Sequence, residues 1–520
     1  MFKHSLVVIF CVSLVPAAAQ LVDKTLAPNA VEGINKSYTQ EIGAGRGNAM
    51  TPDSSLFIIA RDPFRSVRRG RQVFQRKFTR AQGQGPLTGD GSGDITTDGS
   101  IGAGLADSCA ACHGRPRGSA GHGGDVATRP DSRDAPHLFG LGLQEMLADE
   151  ITSDLRAIRD TAKGQAMMTG QPVVRPLSSK GIRYGSIRAL PNGTIDTSGV
   201  QGVNPDLRVR PFFAQGGTIS IREFVVGAFN NEMVLEAFDP DLAAASAGGH
   251  VVTPSGMVLD GSLDSIEAPP APSTAADPDG DGVVNEMPVS IVDHMEFYLL
   301  HYFKPALGEQ TQATEQGRRT FERLGCTSCH ISDLRIDHDR RVADVETVFD
   351  PVRGVFNRLF ATAVPQFVTQ DDGSGFPALK EPVGGRFLVR NIFTDFKRHN
   401  LGPNFWERNY DGTLQKEFLT EALWGVGSTA PYGHDGRSIN LTEVILRHGG
   451  EAQSPRDAFA GLSDPSRADV LEFLNSLVLF PPDDTASSLN PADPTALNFP
   501  QSGHGSVKLT VLFNNPGDPE

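Results

Sequence analysis

The chain has 520 residues, 39% of them hydrophobic and 21% charged, with a formal net charge of −15. That length implies more than one domain with ample core material, and the acidic balance argues against a nucleic-acid or anionic-membrane surface. The 56 glycines and 36 prolines imply many long ordered loops.

In chain order, Lys3 and His4 precede the apolar run Leu6–Val15, and Pro16-Ala17-Ala18-Ala19 offers small residues for cleavage. This pattern predicts a secretory signal over residues 1–20, too short to anchor in a bilayer. The mature protein is therefore expected to be periplasmic or secreted, without a stable membrane anchor. Residues 21–60 read as an extended lead-in. Val67, Val73, Phe74 and Phe78 among basic residues predict an amphipathic helix over 67–80. A polar, glycine-rich loop over 82–104 leads to Cys109-Ala110-Ala111-Cys112-His113. Leu141, Leu143, Met146 and Leu147 predict a helix over 138–157. Residues 165–220 read as β- and turn-rich, 220–238 as a helix and 239–276 as a surface insertion. Helices are expected over 293–303 and 311–324, the second running into Cys326-Thr327-Ser328-Cys329-His330. Residues 345–430 read as a loop-rich insertion, 441–448 and 466–479 as helices. The tail after Pro481 closes on a strand at 507–513.

The repeated pentapeptide carries the chemistry. Two cysteines and a histidine at C-x-x-C-H spacing attach a haem covalently, and the adjacent histidine, His113 or His330, becomes the proximal iron ligand. A structural zinc site or disulfide is the alternative. Of the five cysteines, Cys11 falls in the signal and the other four sit in the motifs, so none remains for a disulfide or for thiol exchange. Helix followed by C-x-x-C-H occurs twice. The expected fold is mainly α with minor β: two cytochrome c-like domains, over 21–290 and 291–480, each with one haem c and long loop insertions.

Asp277, Asp279 and Asp281 alternate in a glycine turn, with the Val283 carbonyl and Glu286 following. Such a loop wraps a hard cation, here calcium. Pro288 stands where a full EF-hand has its glutamate, and an acidic turn with no ion is the alternative.

Four segments, Phe393–Gly402, Leu423–Gly427, the His434-Asp435-Gly436-Arg437 turn and His448–Ala452, join the two motifs in resembling the bacterial di-haem cytochrome c peroxidase superfamily. The nearest likeness is a branch of di-haem oxidoreductases and peroxidases also called thiol oxidoreductases. In that superfamily a histidine fourteen residues before the second haem's distal ligand opens the turn, and His448 lies fourteen after His434. The resemblance therefore implies a six-coordinate electron-transfer haem held by His330 and His448, with His434 near the haem and Arg437 on a propionate. It makes the His113 haem the reactive one, beneath a distal helix where Phe224 replaces the usual glutamine and Glu232 supplies the carboxylate. The usual inter-haem tryptophan is missing before that helix, where Phe212 and Phe213 stand; Trp406 and Trp424 are the chain's tryptophans. The implied activity is reduction of hydrogen peroxide with electrons from a small cytochrome c or cupredoxin. Phe224 also fits a dioxygen-using oxygenase related to rubber oxygenases, and two closed haems would make a plain electron carrier.

Overall fold

The computed structural model describes residues 37–61, 63–85, 106–113, 134–301, 306–341, 367–368, 378–379, 386–409 and 411–478. The expected signal segment, the C-terminal tail with its strand and most of the loop before the first motif lie outside the described residues. The fold is mainly helical with minor sheet. Among the described residues no helix is long and apolar enough to cross a membrane.

The lead-in is not extended: α1 (Tyr38–Ile42) and α2 (Ser55–Arg61) form there, and Ile58 and Ile59 are buried. α3 (Pro63–Gln75) turns Val67, Val73 and Phe74 into the core, as its spacing predicts. α4 (Cys109–His113) is the first motif itself. α5 (Leu141–Thr169) runs well past its expected end. Ala162 and Ala166 extend its buried stripe, and Gly170 stops it at φ +67, donating its N–H to Ala166.

Three antiparallel strands follow, β1 (Val173–Ser179), β2 (Ile182–Ala189) and β3 (Ile195–Asp196). α6 (Ile221–Met233) starts where the Ser220 hydroxyl accepts from Glu223 N–H. The buried Glu145 carboxylate accepts from Ile221 N–H at 2.8 Å, which ties α5 to that helix start. Residues 239–276 are no surface insertion. They form α7 (Pro240–Ser246) and a hairpin of β4 (His250–Val252) and β5 (Val258–Asp260). Leu242, Ala245, Met257 and Leu259 are buried, and Asp239 pairs with the buried Arg222 of α6. The glycine- and alanine-rich composition reads as loop only because these small residues pack closely.

α8 (Val289–His301), which spans the expected boundary at residue 290, packs on α3. α9 (Gln312–Arg323), α10 (Leu441–Arg447), α11 (Gln453–Ala460) and α12 (Asp464–Asn475) complete the helices. Where α3 meets α8, a Cβ on Gly70 would lie 2.3 Å from the Tyr298 Cβ. Where α9 meets α12, a Cβ on Gly317 would lie 1.9 Å from the Asp469 carbonyl. Four residues after each glycine a phenylalanine meets a ring of the partner helix, Phe74 on Tyr298 at 6.0 Å and Phe321 on Phe473 at 5.6 Å. Both motif-bearing units thus share one glycine-seated helix crossing.

Candidate haem sites and an acidic cation site

His113 ends α4, and its Nδ1–H donates to the Pro136 carbonyl at 2.6 Å. His330 follows a single 3-10 turn, and its Nδ1–H donates to the Phe393 carbonyl at 2.9 Å. His448 caps α10, and its Nδ1–H donates to the Val444 carbonyl at 2.7 Å. A carbonyl only accepts, so each ring carries its proton on Nδ1 and turns a lone pair out on Nε2. Burial lowers the pKa of all three, His448 to about 4, and keeps them neutral. Tested against covalently bound haem, the residues fit: neutral imidazoles with open Nε2 atoms, and half-buried cysteines one and four positions earlier. Burial also lifts the Cys326 thiol to about 11.

His330 and His448 come together, close enough for the charge of one to act on the other. The histidine beside His113, His137, has no open nitrogen. Its Nε2–H donates to the Trp424 carbonyl at 2.8 Å, and its Nδ1 accepts from Phe139 N–H at 3.2 Å.

The Phe393 carbonyl is aimed by its backbone. Asn391, Phe393 and Phe396 all sit at φ +54, a region L side chains rarely occupy. The segment is pinned by Ile392 N–H to Ser332, Thr394 N–H to Ile331 and Asn391 N–H to Asp333 Oδ1. Beside it His399 lies between Asp395 and Glu451, at 3.0 and 2.9 Å. Burial opposes a charge there, yet the hydrogen bond to Asp395 lifts His399 to about 11.

The resemblance-implied residues are placed as follows. The His434 side chain is buried, stacks on Phe418 at 3.8 Å and lies 3.1 Å from Glu407. Phe405 stands between it and His448, with ring centroids 6.1 and 5.3 Å away. The Arg437 side chain is 58% exposed and nearest Asp435. Arg447 binds Asp435 through both terminal nitrogens; burial works against that carboxylate, and Arg447 holds it below the usual range. Glu232 lies at the end of α6 that abuts the lead-in to the first motif, where Ala106 N–H donates to its carbonyl at 3.4 Å. Phe224 is two turns away, against Phe212 and Phe213 at 5.9 and 5.4 Å.

The acidic loop gathers carboxylate oxygens in a small space. Asp277 accepts from Gly280 and Gly282 N–H, and Asp281 from Val283 N–H. Glu286 accepts from Glu236 N–H at 2.6 Å through Oε2. Oε2 of Glu236, Oδ2 of Asp279 and Oε1 of Glu286 are buried without a hydrogen-bond partner. Glu236 is 2% exposed and Glu286 5%. Ligand oxygens of Glu236, Asp277 and Asp279 lie within 4.8 Å of one another, as do those of Asp279, Asp281 and Glu286. Burial first, then mutual repulsion, raises Glu236 to about 7, Asp279 to about 6 and Glu286 to about 8. Orphaned hard oxygens at this density suit a divalent cation. Glu236 was not foreseeable: it sits one turn past α6, far from the loop in sequence. Pro136, Phe393 and Val444 were equally hidden, because they act through backbone carbonyls.

Two C-x-x-C-H motifs, each with a carbonyl-oriented histidine, give the chain two places fit to hold a covalent haem. Residues 333–477 match the family model described as "Di-haem oxidoreductase, putative peroxidase". No curated protein matches the chain. Among solved structures it is similar to a MauG-like protein associated with microbial copper homeostasis, at 14% identity and TM-score 0.29, over 79% of this chain and 88% of that one. It is also similar to hydrazine synthase of Kuenenia stuttgartiensis, at 16% identity and TM-score 0.22, over 36% of this chain. The match spans 55% of the hydrazine synthase chain, little more than half. Neither likeness is close enough to inform fold or chemistry.

Proposed function

We propose that the protein is an exported di-haem c-type oxidoreductase of peroxidase type. One haem would be held by Cys109, Cys112 and His113, the other by Cys326, Cys329, His330 and His448. The observation that carries this is the asymmetry of the imidazoles. His330 has a partner in His448, equally neutral and equally open at Nε2. His137 beside His113 has both nitrogens engaged. A haem closed by two imidazoles stores and passes electrons, whereas one with an open face activates a small molecule. The net reaction takes hydrogen peroxide, two electrons and two protons to two waters, with electrons from a small one-electron protein such as a cytochrome c or cupredoxin. Glu232, on the helix end beside the first motif, is the proton-handling group of this reading. Calcium is the proposed occupant of the acidic cluster, held by Glu236, Asp277, Asp279, Asp281, the Val283 carbonyl and Glu286.

The Phe212–Phe213–Phe224 cluster favours a second reading, a dioxygen-using oxygenase with an apolar substrate. Electron paramagnetic resonance and turnover assays on purified holoprotein separate the two. The peroxidase reading expects one high-spin and one low-spin haem with peroxide turnover, and His448→Ala converts the low-spin signal to high spin. A stable dioxygen complex without peroxide turnover favours the oxygenase. Two low-spin haems inert to cyanide and peroxide leave only electron transfer.

A further inference from the structure

We infer that a hydrogen-bonded strap of this chain, running from His113 through His137 and the Trp424 carbonyl to His330, is the electron route between the two motif sites. The inference rests on the di-haem reading above and supplies the path for which that reading lacks an inter-haem tryptophan.

Each link is a bond or a short hydrogen bond. His113 Nδ1–H donates to the Pro136 carbonyl at 2.6 Å, and Pro136 is bonded to His137. His137 Nε2–H donates to the Trp424 carbonyl at 2.8 Å, and Trp424 is bonded to Leu423. Leu423 N–H donates to the Ile392 carbonyl at 3.0 Å, and Ile392 is bonded to Phe393. The Phe393 carbonyl accepts from His330 Nδ1–H at 2.9 Å. The path begins and ends on the two expected iron ligands and crosses no open gap.

The strap is held rigid. Phe139 N–H on Nδ1 fixes the His137 tautomer, so its proton stays on the nitrogen facing Trp424. Trp424 is 4% exposed and its indole Nε1–H donates to the Arg390 carbonyl at 3.2 Å. The indole ring packs against Gly140, where a Cβ would stand 2.4 Å from its nearest carbon. Electrons tunnel further along covalent and hydrogen bonds than across gaps, and a packed, fully bonded network keeps those contacts from fluctuating. The aromatic alternative is poorer. Phe213 is 43% exposed, and Phe224 meets Phe212 and Phe213 through ring contacts rather than hydrogen bonds. Trp406 is tied to Asn400 and lies under Lys416.

With haems bound, each transfer would take one electron from the group held by His330 and His448, oxidising it by one unit, to the group held by His113, reducing it by one unit. No proton moves, because every strap hydrogen bond keeps its own. The external one-electron protein restores the donor side.

The test follows electron equilibration between the haems after flash reduction of the holoprotein, with both reduction potentials measured alongside. His137→Phe keeps a ring but removes both hydrogen bonds, and slows equilibration at least tenfold at unchanged potentials. Trp424→Phe keeps the backbone carbonyl, and leaves the rate within about threefold. Equilibration in His137→Phe within twofold of wild type overturns the strap. So does a tenfold loss in Trp424→Phe, which would make the indole the carrier; this second variant decides the matter if His137→Phe does not hold both haems. Wild-type protein with fewer than two haems per chain would instead sink the di-haem reading.

Discussion

The cation proposed for the acidic cluster would have a calculable effect on stability. Without one, Glu236, Asp279 and Glu286 sit at about 7, 6 and 8, while the unfolded chain holds them near 4. Between about pH 4 and pH 8 the folded apo form therefore binds more protons than the unfolded chain. Its stability is full below about pH 4 and falls as pH rises through that window. At about 1.4 kcal/mol per unit, discounted for solvent screening, the three carboxyls together cost about 2–4 kcal/mol at the alkaline end. Calcium at a hundred times its Kd adds about 2.7 kcal/mol. At about 2–4 °C per kcal/mol for a large domain, Tm rises by about 5–10 °C. Calorimetric melts in EGTA and in millimolar calcium read this directly. The gap should be wider at the alkaline end, where the ligands are ionised, and should shrink in Glu236→Gln. Superimposed melts across the pH range, or a gap untouched by Glu236→Gln, would refute the site.

Two further outcomes follow from helix ends and crossings. Asn440 caps α10 by accepting from Glu443 N–H at 2.9 Å, so Asn440→Ala should cost about 1 kcal/mol in denaturant unfolding; Ser463, whose side chain caps nothing, should cost less. Gly70→Ala and Gly317→Ala should each cost about 1–3 kcal/mol by overpacking their crossings. Gly164→Ala, with open space around it, should instead stabilise by about 0.5–1 kcal/mol in the same assay.

The sequence made local chemistry legible and hid long-range pairing. α3, α6, α9, α10 and α12 follow from apolar spacing, and Ser220, Thr311 and Asn440 mark helix starts by their type. The motif histidines announce themselves. The carbonyls that orient them do not, since any residue offers one and only the fold decides which. A repeated signal was present at Gly70-x-x-x-Phe74 and Gly317-x-x-x-Phe321: a glycine one turn before a core phenylalanine marks a close helix crossing. The packing of 239–276 was hidden because alanine and glycine serve loops and tight contacts alike.

The seat of α8 on α3 has a consequence for biogenesis. The first C-x-x-C-H leaves the ribosome long before Val289–His301, the segment that packs on α3. A nascent chain thus carries Cys109 and Cys112 before the partner helix of α3 exists. The helix that leads to the motif, α3, therefore stays without its seat until more than half of the polypeptide has been made.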